Sequence, residues 1–257
     1  MRMDRRLATL GIAVMLLAAA CGGEQGEEGE ENGEQKLTVL AAASLTEVFE
    51  SLEEPYTVLH PQVDVVYSFE SSSTLVEQVK QGVQADVLAT ADETTMGELV
   101  SAELLHEDPR VFALNSLAII VEAGNPKNVQ GLEDLAQEDL TVVLAAEEVP
   151  AGKFAREVLD AANVNVKPVS LEEDVKAVVT KVTLGEADAG IGYVTDVIAA
   201  GDAVSSVEIP EEDNVVARYP IAVLDEAPNE RLAEDFVALV LSEDGTRALT
   251  EAGFGIP

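Results

Sequence analysis

The chain has 257 residues, with 49 acidic against 15 basic side chains and a formal net charge of −34. Such a surface argues against nucleic acid and against direct binding to anionic lipid, since both need clustered cations. It points to a soluble body, and it sets a puzzle for any anionic ligand, which would have to be held by local dipoles. Exposed charges beyond about 8–10 Å are largely screened by physiological salt.

Residues 1–20 read as a signal peptide. Arg2, Arg5 and Arg6 form a basic start, and Leu7 to Ala20 is an uncharged apolar run. That run is short for a bilayer span. Ala18-Ala19-Ala20-Cys21 resembles a bacterial lipobox, in which the cysteine is lipidated and becomes the first mature residue. Ala18 stands where Leu is commoner, and an ordinary secreted protein with a stray cysteine is the alternative. The only cysteine of the chain falls where a lipobox needs it, which favours lipidation at Cys21. Residues 21–36 then form a lipidated start and an acidic flexible tether. Gly22 to Gln35 has six Glu and no basic or large apolar residue, so it cannot bury a core. The first twenty residues carry three Arg and one Asp, so the remainder carries −36.

Leu37 to Pro257 leaves 221 residues, enough for one large domain or two lobes. Strands are expected at about 37–43, 63–69, 86–91, 117–121, 140–145, 188–194 and 217–224, with helices between them. Helical spacing is clear in Leu45, Val48, Phe49 and Leu52, in Leu75, Val76 and Val79, and in Val175, Val178, Val179 and Val182. Asn229 to Ala252 reads as two helices broken near Asp244-Gly245. Strand–helix alternation predicts an α/β fold with mostly parallel sheets flanked by helices. Two long apolar runs contain polar or breaking elements, Asn115-Ser116 and Tyr219-Pro220. Taken as crossings between lobes, they give lobe 1 as 37–114 plus 220–257 and lobe 2 as 115–219.

Two strand exits share one grammar. Leu37 to Ala43 runs into Ser44-Leu45-Thr46-Glu47, and Val63 to Phe69 runs into Ser71-Ser72-Ser73-Thr74. A helix N-terminus has free backbone N–H groups and the positive end of the helix dipole, and a small hydroxyl residue adds a donor. Two such termini at neighbouring strand ends make an anion site without a positive side chain. The ordinary alternatives stay open. Ser44 with Glu47 fits a capping box, as does Thr74 with Glu77, and serines also form turns. Val149-Pro150-Ala151-Gly152-Lys153 opens another helix with an uncluttered backbone. Glu172-Glu173-Asp174-Val175 opens a fourth, capped by Asp174 or, in competition, by a Ser170…Glu173 box. Gly190-Ile191-Gly192-Tyr193 ends an apolar strand, and it lacks the third glycine of a dinucleotide fingerprint. Catalytic signals are thin. His60 and His106 sit in turn-like surroundings, and no HExxH, GxSxG or CxxC occurs.

Together these segments resemble the bacterial molybdate-binding proteins of ABC importers. The resemblance rests on Ala41-Ala42-Ala43-Ser44-Leu45, Ser71-Ser72-Ser73-Thr74-Leu75, Ala85-Asp86-Val87, Val149-Pro150-Ala151-Gly152, Glu173-Asp174-Val175 and Gly190-Ile191-Gly192-Tyr193, in order, and runs on to Ala252-Gly253-Phe254. It implies the two-lobed periplasmic binding-protein fold (type II), each lobe a mostly parallel sheet flanked by helices. It implies molybdate, and with it near-isosteric tungstate, held between the lobes by Ser44 and Ser72 through hydroxyls and N–H groups. Ala151 and Val175 would contribute backbone N–H, and Tyr193 its phenol. No cofactor, no directly ligated metal and no catalysis are implied. The expected partner is a membrane permease of an ABC importer, and the expected state is a monomer lipid-anchored to the outer face of the cell membrane. The acidic tether and surface depart from the family pattern away from the site, and Gly192 could loosen the strand before Tyr193. The rivals are a receptor for another oxyanion such as sulfate or thiosulfate, a secreted serine hydrolase, which lacks an evident base, and an adhesion or structural lipoprotein.

Overall fold

The computed structural model describes residues 35–257. The signal segment, Cys21 and nearly all of the tether lie outside the described residues. In chain order the elements are β1 (Gln35–Ala42), α1 (Thr46–Leu59), β2 (Val63–Glu70), α2 (Ser72–Lys80), β3 (Val87–Ala89), α3 (Glu93–Ser101), β4 (Arg110–Glu122) and β5 (Val142–Ala145). There follow α4 (Pro150–Ala161), β6 (Ser170–Glu172), α5 (Val175–Thr183), β7 (Ala189–Tyr193), α6 (Val194–Ala200), β8 (Val204–Glu208), β9 (Val216–Val223), α7 (Glu230–Val240) and α8 (Glu243–Glu251). A short 3-10 turn, Ala43–Leu45, joins β1 to α1. β1 starts at Gln35, which pairs with Val63, so folded structure reaches into the end of the expected tether.

The strands run in the order β2-β1-β3-β9-β4-β7-β5-β6, with β8 also on β4. β1, β2 and β3 are parallel, as are β5, β6 and β7. β4 and β9 are antiparallel to each other, β4 also to β7 and β8, and β9 also to β3. The sheet is therefore mixed, with parallel ends joined through antiparallel strands. β4 serves both ends: Arg110–Ser116 pairs with β9, and Leu117–Glu122 pairs with β7 and β8. The expected strand at 117–121 is only its second half. β9 is paired with Ser116 from its first residue, Val216.

Alternation along β1 sorts the core. Val39 and Ala41 face a layer with Phe49, Leu52 and Tyr56 of α1 and Phe236 of α7, while Leu40 faces Leu75 and Val79 of α2 and Leu99 of α3. Both faces of β1 are buried, which explains its unbroken apolar run. Phe49 and Phe236 meet edge to face at 5.7 Å between ring centroids, and the Tyr56 hydroxyl donates to Leu232 O at 2.9 Å. The break between the last two helices lies at Leu241-Ser242, two residues before the expected Asp244-Gly245. The Ser242 hydroxyl accepts from the Gly245 N–H at 3.2 Å and caps α8. Gly245 is there because a Cβ would lie 2.2 Å from Val240 O.

Candidate ligand-binding site

The register of each parallel group brings helix starts together. Ala42 pairs with Glu70, so the exits of β1 and β2 are side by side, and Ala41 pairs with Ala89 at the end of β3. At the other end Ala145 pairs with Glu172 and Val143 with Gly190, which aligns the exits of β5, β6 and β7. Leu117 of β4 pairs with Tyr193 where β4 changes partners. Both sets of carboxyl ends border one small cavity. Its wall includes Ser44, Ser72, Ala151, Val175 and Tyr193, all five residues expected to hold the ligand. The centre of a water-sized sphere can occupy about 20 Å³ of it. The oxygens of a small oxyanion are water-sized, so the space suits such an ion.

Four helical segments begin at this cavity: the Ala43–Leu45 turn leading to α1, and α2, α4 and α5. Their first N–H groups have no partner within their own helix and carry the positive end of its dipole. Ser44 does not cap α1, contrary to the capping-box alternative. Its Oγ lies 2.9 Å from the Tyr219 hydroxyl. In α2 the cap is Ser71, whose Oγ accepts from Thr74 N at 3.2 Å, so Thr74 is inside the helix and opens no second box. Ser72 is thereby left for another use. Its Oγ accepts from Ala91 N at 2.9 Å, and the residue is 1% exposed. α4 opens with Pro150 at its first position and no side-chain cap. A Cβ on Gly152 would lie 1.9 Å from Ala146 O, so glycine lets the start of α4 close onto the end of β5. Asp174 settles the start of α5, accepting from Ala177 N at 2.8 Å, while Ser170 and Glu172 belong to β6. Gly192 does not loosen its strand. Ile120 and Val175 close over it, and an added Cβ would lie 2.7 Å from Ile120 Cδ1.

The hydroxyls are directed by their partners. Asn115 Nδ2 donates to Thr195 Oγ1 at 2.9 Å and to the Tyr219 hydroxyl at 3.4 Å. With its oxygen accepting there, the Tyr219 O–H can donate to Ser44 Oγ, which frees the Ser44 O–H to donate into the cavity. Ser72, accepting from Ala91, is free to donate in the same way. Tyr193 is 1% exposed, and among the described residues its hydroxyl has no partner of good hydrogen-bond geometry, the Tyr219 phenol beside it included. A buried hydroxyl without a partner is costly, and Tyr193 is one of the residues that line the cavity. Burial pushes the phenols of Tyr193 and Tyr219 well above the ordinary range, so both remain neutral donors.

Among the described residues no Lys, Arg or His is in the wall, which does contain the acidic Glu70 and Asp174. The site is therefore not lined by donors alone, although Asp174 spends one carboxylate oxygen on its own helix. Just behind the wall, Asp196 is fully buried. Its Oδ2 accepts from Tyr193 N at 3.1 Å, and its Oδ1 has no hydrogen-bond partner. Burial raises its pKa to about 6, against the pull of Lys176 and the Tyr193 N–H. In the sequence Asn115 and Tyr219 stand out only as breaks in apolar runs, and Thr195, Asp196 and Ala91 do not stand out at all. A lone polar side chain inside a buried strand is the available signal for the first two.

The bacterial extracellular solute-binding protein family matches residues 37–255. The chain is 38% identical to the molybdate-binding protein ModA of Mycobacterium tuberculosis over 98% of each chain. A solved substrate-binding domain from Clostridium difficile, assigned to a molybdenum ABC transporter, is 31% identical with a TM-score of 0.66, covering 86% of this chain and 99% of its own. A sulfate-binding protein of Synechococcus elongatus is 22% identical, over 96% of this chain and 81% of its own.

Proposed function

Because the chain belongs to the bacterial extracellular solute-binding protein family, we propose that it is a receptor that binds molybdate, and with it tungstate, and delivers the ion to an ABC importer. The observation that carries this reading is the convergence of four helix starts and three buried hydroxyls on one cavity of small-ion size. Ser44, Ser72 and Tyr193 would donate through hydroxyls, and Ser44, Ser72, Ala151 and Val175 through backbone N–H. A dianion held this way needs a dry site, where each charge-assisted hydrogen bond is strong. Neutral donors fix the ion by size and geometry, so sulfate, with its shorter bonds to oxygen, would leave some donors out of reach.

We assign one lobe to 37–114 plus 220–257 and the other to 115–219. The lobes would close over the ion and present a surface to the permease. Cys21 would carry the lipid that holds a monomer at the outer face of the membrane. The subunit makes and breaks no bond in this scheme. A serine-hydrolase reading finds no support near the serines, since Ser44 meets Tyr219 and Ser72 meets Ala91 N, while His60 and His106 approach Asp235 and Glu230 instead.

A thermal-shift screen tests the reading. At about a thousand times its dissociation constant a ligand adds about 4 kcal/mol, or roughly 8–16 °C for a domain of this size. Molybdate and tungstate should give such a shift, and sulfate at equal concentration should not. No shift with any oxyanion would sink the receptor reading.

A further inference from the structure

Lys176 is the second residue of α5, directly after the site residue Val175. A cation there opposes the positive end of its own helix dipole, so its place calls for a partner. It has two. Its Nζ donates to both carboxylate oxygens of Glu47, at 2.6 and 2.7 Å. It also lies 3.5 Å from Oδ1 of Asp196, which has no hydrogen-bond partner. Glu47 is the second residue of α1, on the β1–β3 side of the cavity, three residues after Ser44. Lys176 and Asp196 belong to the β5–β7 side. A second lysine repeats the pattern: Lys153, two residues after Ala151, donates from α4 to Thr94 Oγ1 of α3 at 3.1 Å.

The geometry points to Glu47, Lys176 and Asp196 as a charged latch that holds the two sides of the cavity closed over the ligand. The inference rests on the receptor reading and deepens it, since none of the three lines the cavity. Lys176 ties Glu47, beyond the Ser44 turn, to Asp196, whose other oxygen fixes the Tyr193 backbone at 3.1 Å. When the sides part, Lys176 loses Glu47, its two-oxygen partner from the other side, and is left beside Asp196. The closed form is favoured by that difference, and these are positioning residues for Ser44, Val175 and Tyr193.

A rival role for Lys176 is simple attraction of an anion by a nearby positive charge. Glu47→Gln separates the two, because it removes a negative charge and breaks the latch together. Attraction alone predicts tighter binding. The latch predicts faster release of radiolabelled molybdate under an unlabelled chase, by about two- to fivefold, the range for a partly exposed ion pair. Association should change less, since interface changes act mainly on dissociation, and the melting temperature of the ligand-free protein should hold. In a Lys176→Gln background, Glu47→Gln should add nothing. Release that is unchanged or slower in Glu47→Gln, with molybdate still bound by the parent, would overturn the latch alone. A parent chain that binds no molybdate would overturn the receptor reading and the latch with it.

Discussion

Changing Tyr193 to Phe should move stability and affinity in opposite directions. The phenol is fully buried, its hydroxyl has no partner, and burial holds it neutral. An unsatisfied buried hydroxyl costs about 1–3 kcal/mol. Its removal leaves the ring in place against Tyr219, at 5.9 Å between centroids, so packing is kept. The ligand-free protein should therefore melt higher, by roughly 2–4 °C for each kcal/mol recovered. With ligand the hydroxyl becomes a donor to a charged acceptor, worth about 1.5–3 kcal/mol. Its loss should weaken molybdate binding roughly 10- to 150-fold. Calorimetric melting of the free protein and titration with molybdate read the two effects separately. A Tyr193→Phe variant that melts lower and binds molybdate normally would overturn this assignment, for Tyr193 would then be core and not ligand wall.

Ser72→Ala should weaken molybdate binding more than Ser73→Ala, and titration of both variants ranks them. Ser72 loses a cavity donor and also strands the Ala91 N–H, which its Oγ accepts at 2.9 Å. Ser73 meets only Ser71 Oγ, at 3.3 Å. Burial sets the sign of a pH effect at Asp196, whose pKa is raised from 3.8 to about 6. A carboxyl raised on folding contributes stability that is complete below about pH 4 and is lost as pH rises through about 6. Asp196→Asn should flatten the fall in melting temperature across that window, and an unchanged slope would deny the role of burial. Cys21→Ser should release the protein from the membrane fraction while leaving oxyanion binding intact. A processed variant that stays with the membrane would remove the lipid-anchor proposal.

The site is more legible in the sequence than the sheet that carries it. The strand exits that hold Ser44, Ser72, Ala151, Val175 and Tyr193 can be read from local grammar, the choice of these five comes from the family resemblance, and they border one cavity. What local grammar does not contain is pairing. β6 has three residues with no buried one, and β8 alternates at an exposed edge, so neither stands out as an apolar run. The first half of β4 is a strand because β9 returns beside it, about a hundred residues later. The same limit hides the hydroxyl relay. Ser44 looks like a cap because Glu47 follows at capping distance, yet Tyr219 takes its side chain and Lys176 takes Glu47. By sequence alone the glycines read as permissive backbone. At Gly152 and Gly192 they are instead points of close approach, where Ala146 O and Ile120 leave no room for a Cβ.

Calorimetric titration of the protein with molybdate, alone and then against saturating sulfate, bears on the site itself. One ion should bind per chain, with little loss of apparent affinity when sulfate is present. Binding of sulfate as tight as that of molybdate would contradict the selectivity. The absence of any molybdate heat or competition would mean that these helix starts and hydroxyls do not form a molybdate site.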